Sequence, residues 1–307
     1  MKQLAEYGEP TDRSTALALD AADPLAKYKQ AFQVSDPDLC YLDGNSLGRM
    51  PLASIKAVND FLTQEWGKEL VDGWAHWIDE AQAAGNLLGR ATLGAAEGQT
   101  LVQDTTSVNF YQLCNAAIKA RPGRKTVIID SSNFPTDRYI LDGIAKDLGL
   151  KLITLNNDGL GGPGQVDVNA DCELITPEIL EPFLNDDVAL VTLQVIHYRS
   201  GSRPDVKAIT ELVRKHGGLV VWDASHAGGA IDLQFDEWGV DLAVTGTQKG
   251  FMLPAGLAIL GVSDRALAAM EGAYEITLDY VRERKAFGQT VADFQNTKFK
   301  LAEVATE

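Results

Sequence analysis

The sequence predicts an α/β domain built on a mainly parallel sheet with helices on both faces. Three observations carry this. Short apolar runs of strand length alternate with longer stretches of helical periodicity. Alternation of this kind favours parallel strands joined by helical crossovers. Residues able to do chemistry follow directly after several of the apolar runs, where such sheets bind ligands.

In chain order, the strands fall at 101–103, 126–129, 151–155, 189–195, 218–222, 242–245 and 256–261. Helical patterns fall at 107–119, 136–148 and 205–216. The glycine-rich stretch 156–164 (NNDGLGGPG) reads as a surface turn. It is not a phosphate loop, because no Gly-Lys-Ser/Thr follows it. The sequence shows no internal repeat and no low-complexity tract.

A chain of 307 residues can form one large domain, or a large and a small one. Apolar residues make up 45% and charged residues 23%, as in ordinary water-soluble proteins. There is no apolar run long enough to span a membrane. Residues 1–14 lack the apolar core of a signal peptide. Cys40, Cys114 and Cys172 have no CxxC spacing, so a cytoplasmic protein with reduced thiols is expected. The four histidines form no HxxxH pair, and no metal site is expected. The net charge of −16 repels nucleic acid but leaves room for a locally positive phosphate site.

Four groups of residues stand out. Asp223 ends the apolar run in GGLVVWDASHAGG. A carboxylate there needs a partner, either a cation or the free N–H groups of a helix start. Lys249, in LAVTGTQKG, follows the next apolar run; alone it would read as a surface lysine. Thr105, Thr106 and Ser107 open a helix, as an ordinary cap or as a phosphate site made of hydroxyls and helix N–H groups. Phe134, Pro135, Thr136 and Asp137 follow the 126–129 run; Phe134 either packs in the core or covers a flat ring. Together these are the needs of pyridoxal 5′-phosphate (PLP): a lysine for the imine, an acid for the pyridine nitrogen, a ring cover and phosphate donors.

The longer text around these residues resembles kynureninase over about 17–239. The matching stretches are YLDGNSLGR (41–49), QEWG (64–67), DTTSVN (104–109), SSNFPTDRY (131–139), HYRSG (197–201) and WDASHAGG (222–229). The resemblance implies a fold-type I, aspartate-aminotransferase-like large domain. It implies Lys249 and Asp223 as the catalytic pair and His226 beside the cofactor. Thr106 and Ser107 would hold the phosphate, Phe134 would lie on the ring and Asp137 close to it. Asn45 and Ser46 would lie near the substrate. The implied reaction is hydrolysis of L-kynurenine to anthranilate and L-alanine, in a homodimer.

Two later stretches depart from that pattern. Residues 245–270 resemble serine-glyoxylate aminotransferases, with Gln248 where kynureninases carry a phosphate-binding tyrosine. This gives a second reading, a PLP aminotransferase of small amino acids; a PLP-binding protein with little or no activity is a third. Gln194-Val195 stands where kynureninases commonly have a hydroxyl residue and His. Residues 272–307 resemble the C-terminal helices of acyl-CoA dehydrogenases, through RKAFG and FQNTKFKLAE. That tail reads as two helices broken at Phe287-Gly288, and FAD is not expected. The expected organisation is an N-terminal segment 1–50, a PLP-binding large domain 51–271 and a helical tail 272–307, with the small C-terminal domain incomplete or replaced.

Overall fold

A computed structural model describes residues 12–168 and 170–269, with two short strands at 285–286 and 289–290. The chain divides into two compact units, Met1–Ala75 and His76–Glu307. In the first, helices Arg13–Ala22 and Leu52–Asp60 are joined by loops, and Phe32 bridges Pro51 antiparallel.

The second unit is organised by an eight-stranded sheet: β1 (Thr100–Gln103), β2 (Thr126–Asp130), β3 (Lys151–Asn156), β4 (Gln165–Asp167), β5 (Val188–Gln194), β6 (Leu219–Asp223), β7 (Leu242–Gly246) and β8 (Ala258–Val262). Their order is β1-β8-β7-β6-β5-β2-β3-β4. Neighbours from β7 to β4 pair in parallel, whereas β8 runs antiparallel to both β7 and β1. All seven expected strands are present. The strand β4 is an addition, and it begins one residue after the expected glycine-rich turn.

The strands β2, β5, β6 and β7 are buried along their whole length. Their side chains alternate between two cores. Ile128, Val220, Trp222 and Ala243 face one, with Ile209 and Val213 of the helix Val206–Lys215. Val127, Ile129, Val221 and Val244 face the other, with Phe110 and Leu113 of the helix Thr106–Lys119 and Leu141 of the helix Pro135–Leu148. Strands covered on both faces are uniformly apolar, which is why these runs read so clearly in the sequence. Trp222 is fully enclosed, and its indole N–H donates to Thr210 Oγ1 at 3.0 Å. Truncating such a ring costs about 3–5 kcal/mol.

Strand order reverses between β2 and β5: β3 and β4 lie to one side, β6, β7 and β8 to the other. A parallel sheet opens a crevice at such a point, at the carboxyl ends of its strands. Asp130, Gln194 and Asp223 are the last residues of β2, β5 and β6.

Beyond residue 269 the description is limited to β9 (Lys285–Ala286) and β10 (Gln289–Thr290), paired antiparallel. The residues on either side of Phe287-Gly288 are thus strand where two helix ends were expected. The rest of the expected helical tail lies outside the described residues.

Candidate active site

Two glycine turns bring Asp223 and Lys249 into one place. After β6 the chain turns tightly; Asp223 Oδ1 accepts from the Ser225 N–H at 2.9 Å, and Ala227 and Gly228 both donate to the Ala224 carbonyl at 2.8 Å. No regular helix follows, so Asp223 closes a turn and does not cap a helix. After β7 the chain passes through Lys249 and Gly250 and lies directly on this turn. A Cβ on Gly250 would collide with the Gly228 carbonyl, and one on Gly228 would come within 2.9 Å of Thr245 Oγ1 and 3.0 Å of the Phe251 ring. Only glycine permits this approach, and the approach fixes the lysine relative to the acid.

Lys249 Nζ lies 2.6 Å from His226 Nε2 and 5.5 Å from the centroid of the Phe134 ring. The amine therefore stands in a slot between two flat side chains. Burial holds the Lys249 ammonium below the ordinary lysine range, against the opposing pull of Asp223 and Asp137. Burial, then the neighbouring Lys249 charge, push the His226 imidazolium down to about 4.

Phe134 is 39% exposed, which removes the core-packing reading for this ring. It precedes the helix Pro135–Leu148, with Pro135 in the first turn, and its N–H is held by Asn133 Oδ1 at 2.8 Å. Thr136 is half-buried in that turn, and Asp137 is enclosed. Burial raises the Asp137 carboxyl well above the usual range, and the nearby Asp223 and Asp130 charges add to this. Its Oδ2 has no hydrogen-bond partner among the described residues. An acid in this state is a group waiting for a polar or cationic partner.

The hydroxyl candidates separate. Thr105 is the cap of the helix Thr106–Lys119, accepting from the Val108 N–H at 3.3 Å. Thr106 is then free to face β7: a Cβ on Gly246 would lie 3.0 Å from Thr106 Oγ1 and against Gln248 Oε1. Thr106 and Gln248 thus flank one small space left by a missing side chain, beside a helix N-terminus. Ser107 is exposed in the same first turn. Asn45 and Ser46 belong to the first unit, exposed in a turn where Ser46 N–H donates to the Asp43 carbonyl at 3.1 Å.

The structure brings further residues to this place, among them Gln194 of the departure noted in the sequence. Asp130 is buried and accepts from Ser132 Oγ and Asn133 Nδ2, both at 2.9 Å. Asn156 and Asn157, read as part of a surface turn, are buried instead: Asn156 is the last residue of β3, and Asn157 donates to the Glu173 carbonyl at 2.7 Å. His197 lies between Glu173 Oε2 at 3.0 Å and Asp130 Oδ2 at 3.9 Å, close to both but off the line of a hydrogen bond. Gln194 is buried beside Asp223 in register, with neither amide atom partnered among the described residues. A small cavity is lined by Asp130, Glu173, Gln194, His197 and Ser202.

The Aminotransferase class-V family matches residues 165–297. The kynureninase of Pseudomonas fluorescens is 36% identical over 246 residues, which are 78% of this chain and 54% of that protein. The kynureninase of Deinococcus radiodurans is 34% identical over 262 residues, 83% of this chain and 58% of that protein. The chain thus spans little more than half the length of these curated relatives. Among solved structures, the Escherichia coli cysteine desulfurase CsdA superposes with a TM-score of 0.63 at 15% identity, covering 80% of this chain and 60% of that one. The Thermococcus onnurineus cysteine desulfurase gives 0.63 at 16%, covering 80% and 58%. The fold is that of the class-V aminotransferases and cysteine desulfurases, a fold-type I architecture with a mainly parallel sheet.

Proposed function

We propose that this chain carries the PLP-binding core of a kynureninase-type hydrolase, which converts L-kynurenine and water to anthranilate and L-alanine. One observation carries the proposal: a half-buried amine, Lys249 Nζ, stands between Phe134 and His226 next to Asp223 and Asp137. The similarity to curated kynureninases supports the choice of reaction.

The residues fit the cofactor. Phe134 and His226 would flank its ring. Asp223 would keep the pyridine nitrogen protonated, with the unpartnered Asp137 carboxyl nearby. Thr106, Ser107, Gln248 and the N–H groups that start the helix Thr106–Lys119 would hold the phosphate. Pro135 and Thr136 fix the turn that carries Phe134. When bound, PLP supplies an electron sink for charge developing on the amino-acid carbons.

The chain's own residues supply the rest. Lys249, with its ammonium destabilised by burial, gives up its proton more readily than a surface lysine and then carries the proton at the substrate Cα. Asp223 holds positive charge in place by a fixed carboxylate in a dry site. Asn45 and Ser46 are proposed substrate contacts, and a homodimer in the cytoplasm is the proposed setting. The 245–270 stretch favours a second reading, a small-amino-acid aminotransferase.

Two measurements test this. A visible absorption band on adding PLP is the expected result, and its absence overturns the cofactor assignment. Anthranilate fluorescence on adding kynurenine supports the hydrolase; alanine or serine amino transfer to glyoxylate without anthranilate supports the second reading.

A further inference from the structure

The ring of Tyr198 touches both walls of the slot that holds the Lys249 amine. It meets Phe134 edge-on, with centroids 5.5 Å apart and planes at 83°, and lies over His226 at 6.3 Å and 34°. Its own position is fixed from behind. His197 stacks on it at 5.5 Å and 26°, and the Arg199 guanidinium lies 5.8 Å from its centroid. One side chain lies against both: Glu173 Oε2 is 3.0 Å from His197 Nδ1, and Glu173 Oε1 pairs with Arg199, which Asp158 Oδ2 also approaches at 3.6 Å. Glu173 adopts φ +63°, a left-handed conformation that a non-glycine residue takes only at a cost. Its backbone is tied as well, since its carbonyl accepts from Asn157 Nδ2 at 2.7 Å.

We propose that Tyr198 is the third wall of the slot, a residue that touches the cofactor ring, and that Glu173 is the positioning residue that sets it through His197 and Arg199. This rests on the PLP reading above. Two flat walls confine a ring in one direction only; a third ring across their shared edge also fixes how far it slides. Aromatic contacts supply this through ring area and edge-to-face geometry, so the ring matters and the hydroxyl does not. Glu173 acts at one remove. Without its carboxylate, Arg199 keeps only Asp158 at 3.6 Å and His197 only the more distant Asp130 at 3.9 Å, so the hold on the Tyr198 ring loosens.

The test is PLP titration of the full chain, followed by visible absorbance and by the circular dichroism of the bound cofactor band, which reports how the ring is held. Tyr198→Phe should match the unaltered chain in both. Tyr198→Leu should weaken apparent PLP affinity about 10-fold, in line with the worth of aromatic pairs, and lose at least half of the visible dichroism. Glu173→Gln should shift both in the same direction, with an affinity loss of about 3-fold, as expected for an indirect contact. Unchanged affinity and dichroism in Tyr198→Leu would overturn the proposal. So would a Tyr198→Phe variant as impaired as Tyr198→Leu, because the hydroxyl would then be the active part. Should far-ultraviolet dichroism show Tyr198→Leu unfolded, Glu173→Gln decides, and an unchanged visible band there is the negative result. No visible band in the unaltered chain overturns the PLP reading itself, and this inference with it.

Discussion

Lys249 Nζ and His226 Nε2 lie 2.6 Å apart although they come from different strand ends, 23 residues apart in the chain. The contact exists because Gly250 lies directly on Gly228 and Gly229, so the loop after β7 sits on the turn after β6. It places two groups together whose charged forms burial disfavours, the ammonium of Lys249 and the imidazolium of His226. The imidazole is neutral near pH 7, and the amine releases its proton more readily than a surface lysine does.

The first prediction follows from that state. Borohydride reduction of the PLP-loaded chain and peptide mapping should place the pyridoxyl group on Lys249, and Lys249→Ala should take up none. Since burial lowers the Lys249 value, the free amine appears as pH rises through a point below the ordinary lysine range. Covalent capture of PLP should therefore reach half its maximal rate at a lower pH than reaction with surface lysines. Label on a different lysine would disprove the assignment.

Asp223→Asn should impair turnover far more than folding. The amide preserves the hydrogen bond from Ser225 N–H, so the turn survives. It cannot keep a pyridine nitrogen protonated, and loss of a preorganised electrostatic partner costs on the order of 10²-fold in rate. The variant's thermal melt should match the unaltered chain. Near-normal turnover would reduce Asp223 to a turn residue.

The central strands β2, β5, β6 and β7 were the most legible because they are almost wholly apolar, a consequence of burial on both faces. The same signal located Asp223, at the end of such a run. Asp130 ends the run of β2 in the same way, and ending the expected strand at 129 hid it. Glu173 could not be found from sequence, because its role depends on a left-handed backbone and on partners in a distant loop, His197 and Arg199. Tyr198 stood inside the HYRSG stretch, but nothing local says that its ring reaches Phe134 and His226. Asn156 and Asn157 look like turn residues by composition; partners far away in the chain, Asp167 of β4 for Asn156 and the Glu173 carbonyl for Asn157, make them interior.

Gly250→Ala should both destabilise the chain and abolish PLP capture. Its Cβ would strike the Gly228 carbonyl, which is backbone and has no way to rotate aside. Overpacking of this kind costs about 1–3 kcal/mol. The loop would be displaced from the turn after β6, taking Lys249 away from His226. Denaturant unfolding and the visible band check the two effects separately. A stable variant that still captures PLP would show that the glycine contact does not position the lysine.

Asp137→Asn should stabilise the cofactor-free chain while weakening PLP binding. The sign follows from the raised carboxyl. A carboxyl whose folded value lies above its unfolded value holds a proton that the unfolded chain has released. Stability contributed by the protonated form is thus present at low pH and is lost as pH rises from the ordinary carboxylate value toward the raised one. At neutral pH the folded chain bears a poorly solvated acid beside Asp223 and Asp130, with Oδ2 unpartnered. Asparagine has nearly the same shape and no charge to bury, so this loss disappears. The gain should be on the order of 1 kcal/mol, a rise in melting temperature of about 2 °C for a chain of this size. The difference between the two chains should shrink as pH falls toward the ordinary carboxylate range, where both side chains are neutral. With PLP present the order should reverse, because the unaltered chain gains a partner for Asp137 and the variant does not. Melting curves with and without PLP at neutral and acidic pH check all three points, and a variant less stable than the unaltered chain without PLP would show that Asp137 is already satisfied in the fold.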